Sequence, residues 1–392
     1  MAEVAELTAE PSTDSWRRVE WLDGVRALAA CYVMFHHTWL MSYPGFPSNT
    51  GPSAVGWLVY GHLAVAVFIV VSGFSLTLSP ARRMFALPGG WAGFMRRRFW
   101  RIVPPYWAAL LVSSALVFAG AIGTATGASL TSKDVGVHAL LLQDVFANTP
   151  PNGVFWSIAV EWDIYLFFPL LLCCFRKLGA AVVVVAVLAV VGAQGLFAGQ
   201  VGVVGMFSRF TPQFFVLFVF GMVAVWLANR GQGGRVACCV SLGVLVTLVA
   251  ACLAMGSSWV VRSYFWVDLG VGLGAASTFL AMATGHFGFA RRLLSVSVLT
   301  RVGEFAFSLY LIHAPILDVV RVHLLEPANL SRSATFLLLL LIGSPLALIA
   351  SYVFFLVFER PFLTIRSGRA LIVAFRSLWA RMGGSYRTGS ID

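Results

Sequence analysis

Charge is what this chain has least of. Only 11% of its 392 residues are Asp, Glu, Lys or Arg, against about 25% in an ordinary soluble domain, while 59% are hydrophobic. That scarcity excludes a water-soluble globule. It points to an all-α polytopic membrane protein, because a segment crossing lipid needs ~20 apolar residues and must satisfy its own backbone. Cysteine is sparse as well. The six are Cys31, the adjacent pairs Cys173–Cys174 and Cys238–Cys239, and Cys252. All lie within or at the edge of apolar stretches, neither pair has metal-ligand spacing, and they read as small hydrophobes. No internal repeat is found, which counts against a secondary transporter, since many of those are built from repeats. No cleavable signal peptide is expected: the first 20 residues are polar and acidic, and the first apolar stretch is too long for an h-region.

What is present is a series of about ten transmembrane helices. The apolar segments run over 22–42, 56–79, 103–123, 154–175, 178–198, 210–229, 236–256, 262–284, 298–320 and 335–358. The net charge of +11 fits topology better than nucleic acid. With both termini cytoplasmic, 21 of the 27 basic residues fall in or beside inner loops and tails, five fall outside, and Arg26 sits at the membrane edge, as the positive-inside rule demands. One transmembrane domain is expected over residues 21–362, between a cytosolic tail at 1–20 and a basic cytosolic tail at 363–392. The latter reads either as a short amphipathic helix on anionic lipid or as a plain positive-inside tail. The longest external loop, 124–153, carries Lys133, Asp134, His138 and Asp144 and is placed to cover an outer mouth. Lysine contributes only Lys133 and Lys177, a codon signature of a GC-rich bacterial genome, so the bacterial plasma membrane is the expected location.

Against this apolar background the ionisable residues stand out. Asp23, Arg26 and His37 lie in or at the mouth of the first span, LDGVRALAACYVMFHHTWLM. Such groups are expensive to bury in lipid and are expected to face an interior or a water-filled cavity. Arg26 and His37 are eleven residues apart, about three helical turns and ~16 Å along one face. In FMRRRFWRIVPPYW, Arg98 and Arg101 share a helical face and suit phosphate recognition, whereas Arg96 and Arg97 read as positive-inside anchors. Pro104 and Pro105 are expected to break or reset that helix. In VFWSIAVEWDIYLFFPLL, Glu161 falls at a depth similar to that of His37, which makes it a candidate to orient that imidazole. Asp163 lies about 200° round the helix from Glu161 and is left to packing or topology. His313 in SLYLIHAP, with Ser308 and Tyr310 before it, is either a site residue or a satisfied interhelical hydrogen bond. In VFIVVSGFSL, Ser72-Gly73 allows close backbone approach. Glu359 of FERP either pairs with the arginine cluster or is an ordinary interfacial charge. Asp268 and Glu304 also lie in or near spans, and the sequence assigns them no role.

These stretches resemble the membrane acyltransferase-3 family, in the family's order and over about residues 20–362. LDGVRALAACYVMFHH is similar to its arginine, ten residues, then histidine signature, carried here by Arg26 and His37. FIVVSGFSL matches its SGF element, RRRFWRIVPPYW its RxxR element through Arg98 and Arg101, and WSIAVEWDIYLFFP its WSLxxExxFY element through Trp156, Ser157, Glu161 and Tyr165. SLYLIHAP and FERP match two late elements. One departure is Trp162, where many members carry a second Glu.

The resemblance implies transfer of an acyl group, acetyl or another short acyl, from acyl-CoA to a hydroxyl. The expected catalytic residues are His37 as general base and Glu161 as its orienter. Asp23, Arg26, Ser72, Arg98, Arg101, Trp156, Tyr310 and His313 are the expected substrate-binding residues. Arg98 and Arg101 would hold the CoA phosphates at the inner mouth, and the pantetheine arm would run past Arg26 towards His37. No Ser or Cys stands at helical spacing from His37, which favours direct transfer over a covalent acyl-enzyme. No tightly bound cofactor and no metal are expected; acyl-CoA, acetyl-CoA first, is the donor substrate. The expected partners are that donor, a hydroxyl acceptor and the bilayer, with no nucleic acid. A cell-envelope carbohydrate or glycolipid is the first acceptor, and a small secondary metabolite such as a macrolide the alternative. A transporter or flippase of an anionic or glycosylated lipid is the rival class, since buried charges suit a proton-coupled pathway too. A structural membrane partner without a site is a third.

Overall fold

A computed structural model of the chain describes residues 19–197 and 211–364. Almost all of the two expected tails, including the basic amphipathic segment, lie outside the described residues. Among those described there is no strand. The order is α1 (Glu20–Ser42), a 3-10 helix (Ser53–Tyr60), α2 (His62–Ala81), α3 (Gly90–Phe118), α4 (Ser132–Ala139), α5 (Trp156–Leu178), α6 (Ala180–Phe197), α7 (Gln213–Ala228), α8 (Gly234–Arg262), α9 (Tyr264–Ala283), α10 (Gly288–Leu294), α11 (Ser297–Glu304), α12 (Ala306–Leu325) and α13 (Arg332–Leu363).

Each of the ten expected spans corresponds to a helix. Eight are long and apolar enough to cross a membrane: α2, α3, α5, α6, α8, α9, α12 and α13. The other two fall short for different reasons. The 23-residue α1 is long enough but carries Asp23, Arg26, His36 and His37. The 16-residue α7 is only ~24 Å long, against a ~30 Å hydrocarbon core. Its Phe214, Leu217, Phe218 and Met222 are wholly buried, so protein, not lipid thickness, sets its length.

Local departures from the sequence reading have physical reasons. α3 does not break at Pro104 and Pro105 but runs through both. Prolines are tolerated inside membrane helices where surrounding protein re-satisfies the backbone, and the flanking Ile102, Val103 and Tyr106 are buried. The ninth span is split at Phe305 into α11 and α12. In the loop before α5, α4 is closed by a capping box between Thr131 and Asp134. It docks on α3 where Tyr106 Oη donates to the His138 carbonyl at 3.1 Å.

Close backbone contact fixes the centre. A Cβ on Gly73 would lie 2.1 Å from the Phe218 carbonyl oxygen, and one on Gly221 would lie 2.4 Å from that of Val70. α2 and α7 therefore cross with backbones nearly touching, as small residues permit in membrane bundles, and Ser72 is held rigidly beside that crossing. The charged turn of α1 is fixed likewise. A Cβ on Gly24 would lie 1.9 Å from the Leu294 oxygen, and one on Gly303 would lie 2.1 Å from that of Asp23.

Candidate active site

An internal cavity of about 140 Å³ lies among α1, α2, α3, α5, α11, α12 and α13. Arg26, Arg98 and Arg101 line it from α1 and α3, and Glu161, Glu304 and Glu359 from α5, α11 and α13. Arg101 is exposed and marks the open end. Glu359 is buried and accepts from Ser308 Oγ at 2.5 Å.

Each cation is held differently. Arg26 Nη1 donates to Asp23 Oδ1 at 2.7 Å, one turn earlier on α1, and its Nη2 donates to Ser75 Oγ at 2.7 Å. Asp23 thus acts by fixing Arg26 and does not itself line the cavity. The Arg98 guanidinium lies over the rings of Phe94 and Tyr165, 5.6 and 5.8 Å from their centroids, a stacking that suits a planar cation. Its Nε is buried without a hydrogen-bond partner, an uncommon state for a charged donor that leaves it available to an anionic ligand. Beside it, Ser72 Oγ lies 3.2 Å from Glu161 Oε1 and 2.7 Å from Tyr165 Oη, its one proton serving either acceptor. The Tyr165 hydroxyl also donates to Glu161 Oε1.

The imidazoles lie about three turns along α1 from Arg26. His37 Nδ1 is 2.9 Å from the Val33 carbonyl oxygen and 3.2 Å from His313 Nε2. His313 Nδ1 is 2.9 Å from the Leu309 carbonyl oxygen. A carbonyl only accepts, so both Nδ1 atoms carry their protons, an assignment made from the hydrogen-bond network. His313 Nε2 then offers a lone pair to His37 Nδ1–H, and His37 Nε2 is left unprotonated, with no protein partner among the described residues. That is the tautomer a general base requires. Tyr310 links the two parts of the site. It lines the cavity, its ring is 6.1 Å from that of His313, and its hydroxyl shares a 2.6 Å hydrogen bond with Ser157 Oγ.

The structure therefore gathers Arg26, Ser72, Arg98, Arg101, Glu161 and Tyr310 around one cavity, with His37 and His313 paired next to it. Two expectations are corrected. Glu161 does not orient His37; its hydrogen bonds go to Ser72 and Tyr165, and His313 takes the orienting position. Similar depth in the membrane does not fix which way two helices face. Trp156 does not reach the cavity. It sits one residue, ~100°, before the cavity-lining Ser157, and its ring stacks on His62 at 5.5 Å and Phe214 at 5.8 Å.

Sequence reasoning missed a second polar cluster at that aromatic stack. His62 Nε2 meets Asp268 Oδ2 at 3.0 Å, and Gln213 Nε2 donates to the same oxygen at 3.3 Å. Asp268 is fully buried. The signal was an intramembrane carboxylate, but its partner lies 206 residues away. His36, adjacent to His37, lies one position short of the signature's arginine-to-histidine spacing. Its Nδ1 is held by the Leu58 carbonyl at 2.7 Å, and it packs so tightly on Gly61 that a Cβ there would lie 2.2 Å from its ring.

Comparison with known proteins identifies the family. The acyltransferase-3 family model, described as an acyltransferase domain, matches residues 19–356. Acyltransferase MdmB of Streptomyces mycarofaciens is 28% identical over 316 residues, covering 76% of this chain and 78% of that protein. Nodulation protein 10 of Rhizobium leguminosarum bv. viciae is 32% identical over 184 residues, covering 42% of this chain and 48% of that protein, about half its length. No solved structure matches. The family match takes in every cavity-lining residue except Glu359 and reaches nearly the whole described chain; the chain belongs to the acyltransferase-3 family and is a membrane acyltransferase.

Proposed function

We propose that this protein transfers a short acyl group, acetyl by preference, from acyl-CoA to a hydroxyl of a cell-envelope carbohydrate or glycolipid in a bacterial plasma membrane. The observation that carries the reading is the placement of His37 Nδ1 2.9 Å from the Val33 carbonyl oxygen and 3.2 Å from His313 Nε2, which assigns the proton to Nδ1 and leaves Nε2 as the base.

The step is a direct transfer. His37 Nε2 takes the proton of the acceptor hydroxyl as its oxygen attacks the thioester carbonyl. The carbon–sulfur bond then breaks, and the proton passes to the departing thiolate, giving the acyl ester and free CoA. His313 Nε2 accepts from His37 Nδ1–H throughout and favours the transient imidazolium.

The donor enters at the arginine end, which the positive-inside pattern assigns to the cytosol. Arg98 and Arg101 bind its phosphates, Arg98 through the Nε donor that protein leaves unused. Glu161 supports Arg98 through Tyr165, the ring on which the guanidinium rests. The cavity, at about 140 Å³, is smaller than the ~300–1,000 Å³ of sites that enclose a drug-sized ligand. It accommodates the thioester end and a short acyl group, while the nucleotide stays at the mouth.

Thioester turnover of acetyl-CoA by nanodisc-reconstituted protein, with an envelope glycan as acceptor, tests the reading. His37→Ala is expected to lower turnover by about 10²–10⁴-fold, the usual contribution of a positioned base, with thermal unfolding unchanged. An unaltered rate would remove His37 from the mechanism.

A further inference from the structure

The α1–α2 hairpin has a second, unlike cavity on its other side. This groove, of about 1090 Å³, runs between the hairpin, the 3-10 helix, α8 and α9. On α1 it is lined by Val25, Leu28, Ala29 and Tyr32, a single stripe at i, i+3, i+4 and i+7. Arg26 and His37 project from another face of the same helix. On α2 the groove takes Leu63, Ala64 and Val67, whereas the catalytic cavity takes Phe68, Ser72 and Ser75.

The far wall is α8, a peripheral helix. Leu245 is 58% and Leu253 82% exposed, so the groove opens directly into the surface that faces lipid. At one end α8 is interrupted at Gly256, whose φ of 72° and ψ of 170° depart from the helix. The rim there is polar: Ser257 and Ser258 of α8 face Ser48, Asn49 and Ser53, with Ser48 Oγ 3.1 Å from Ser258 Oγ. Trp57, more than half exposed, stacks on Tyr32 at 5.5 Å and 4° beside this rim, as amphipathic rings do at headgroup level.

We propose that this groove is a binding site for a neutral, hydroxyl-headed membrane lipid, a glycosyl-diacylglycerol in type. Its chains lie along α8 and its head sits under the serine and asparagine rim. Three observations select this occupant. The groove is continuous with the lipid-facing belt, so its ligand arrives from the bilayer. Its volume lies just above the ~300–1,000 Å³ typical of sites that enclose one drug-sized ligand, as a two-chain lipid needs. No charged residue lines it among the described residues, so a phosphate head finds no cation, while hydroxyls find five hydroxyl or amide partners. The bound lipid presses on the 3-10 helix whose Leu58 carbonyl holds His36, the neighbour of His37. The site is separate from the catalytic cavity, so its failure and that of the acyl-transfer reading are distinguishable.

The test uses full-length protein in phosphatidylcholine nanodiscs doped with one of two lipids carrying the same diazirine chain, a monoglucosyl-diacylglycerol or a phosphatidylglycerol. After irradiation, adducts on residues 25–32 and 245–256 are quantified by mass spectrometry. The glucosyl probe is expected to label these segments at least fivefold more than the phosphatidylglycerol probe. Val249→Trp, which fills the groove from α8, should reduce glucosyl labelling by at least fivefold, with thermal unfolding as the control. Ser257→Ala/Ser258→Ala should bring the two probes towards parity while retaining chain labelling, and gives a second reading if the tryptophan variant does not fold. Equal labelling by both probes in the wild type, or labelling indifferent to both variants, would overturn the proposal.

Discussion

The two sides of the α1–α2 hairpin make opposite use of the same two helices. One face lines an internal space with three arginines and three glutamates and borders a histidine pair; the other lines an open groove with no charged residue among those described. The difference arises from where neighbouring helices press. On the cavity side, α3, α5, α12 and α13 enclose the polar groups and give them partners, without which they would be costly in a membrane. On the groove side, α8 stands off and lipid-compatible side chains suffice. A membrane enzyme can thus keep reacting groups and a lipid contact within one helix diameter, provided protein shields only the charged face.

The largest contrast between the two faces should appear on removing His313. A hydrogen bond to a charged group is worth ~1.5–3 kcal/mol. His313→Ala should therefore lower kcat for acetyl transfer by about ten- to a hundred-fold, with KM for acetyl-CoA little changed. His313→Gln, which restores an acceptor, should recover part of the loss. Equal loss in both variants would mean that His313 acts only by packing.

Stability should separate the packed α2–α7 crossing from the open groove next. Gly73→Ala drives a Cβ into the Phe218 carbonyl and is expected to cost at least ~1–3 kcal/mol, read as a fall in the midpoint of thermal unfolding in nanodiscs. Val67→Leu, on the groove face, should stay under ~1.5 kcal/mol, as volume-tolerant apolar exchanges do. Similar costs would erase the distinction in packing.

The smallest effect lies outside both, in the loop before α5. Burial first, and the neighbouring Asp163 second, raise the Asp144 carboxyl to about 7. Its folded-state pKa is above that of the unfolded chain, near ~4. Its contribution to stability is therefore full below about pH 4 and lost as pH rises through 7. Wild-type protein should unfold at a higher temperature at pH 5 than at pH 8, and Asp144→Asn should shrink that difference.

The sequence made legible whatever depends on spacing within one helix. The ten spans, the shared face of Arg98 and Arg101, the three-turn offset from Arg26 to His37 and the close approach at Gly73 all follow from a helical period or a missing side chain. Partners on different helices were not legible. His37 and His313 are 276 residues apart, and nothing in either segment specifies that their imidazoles meet. Pairing Glu161 with His37 on depth alone failed because depth leaves the azimuth free. The continuity of α3 through Pro104 and Pro105 was missed because proline rules from water do not carry over to a helix enclosed by protein. The His62–Asp268 pair shows the same limit: each residue is visible alone, their contact only in the fold.

The most direct test of the division of labour along the cavity is calorimetric binding of free CoA to the nanodisc-reconstituted protein. It compares the wild type, Arg98→Ala/Arg101→Ala and His37→Ala. Saturable binding by the wild type and His37→Ala with equal affinity, lost in the arginine variant, is the predicted result. Absence of binding to folded wild type, or loss of binding on removing His37 alone, would contradict it.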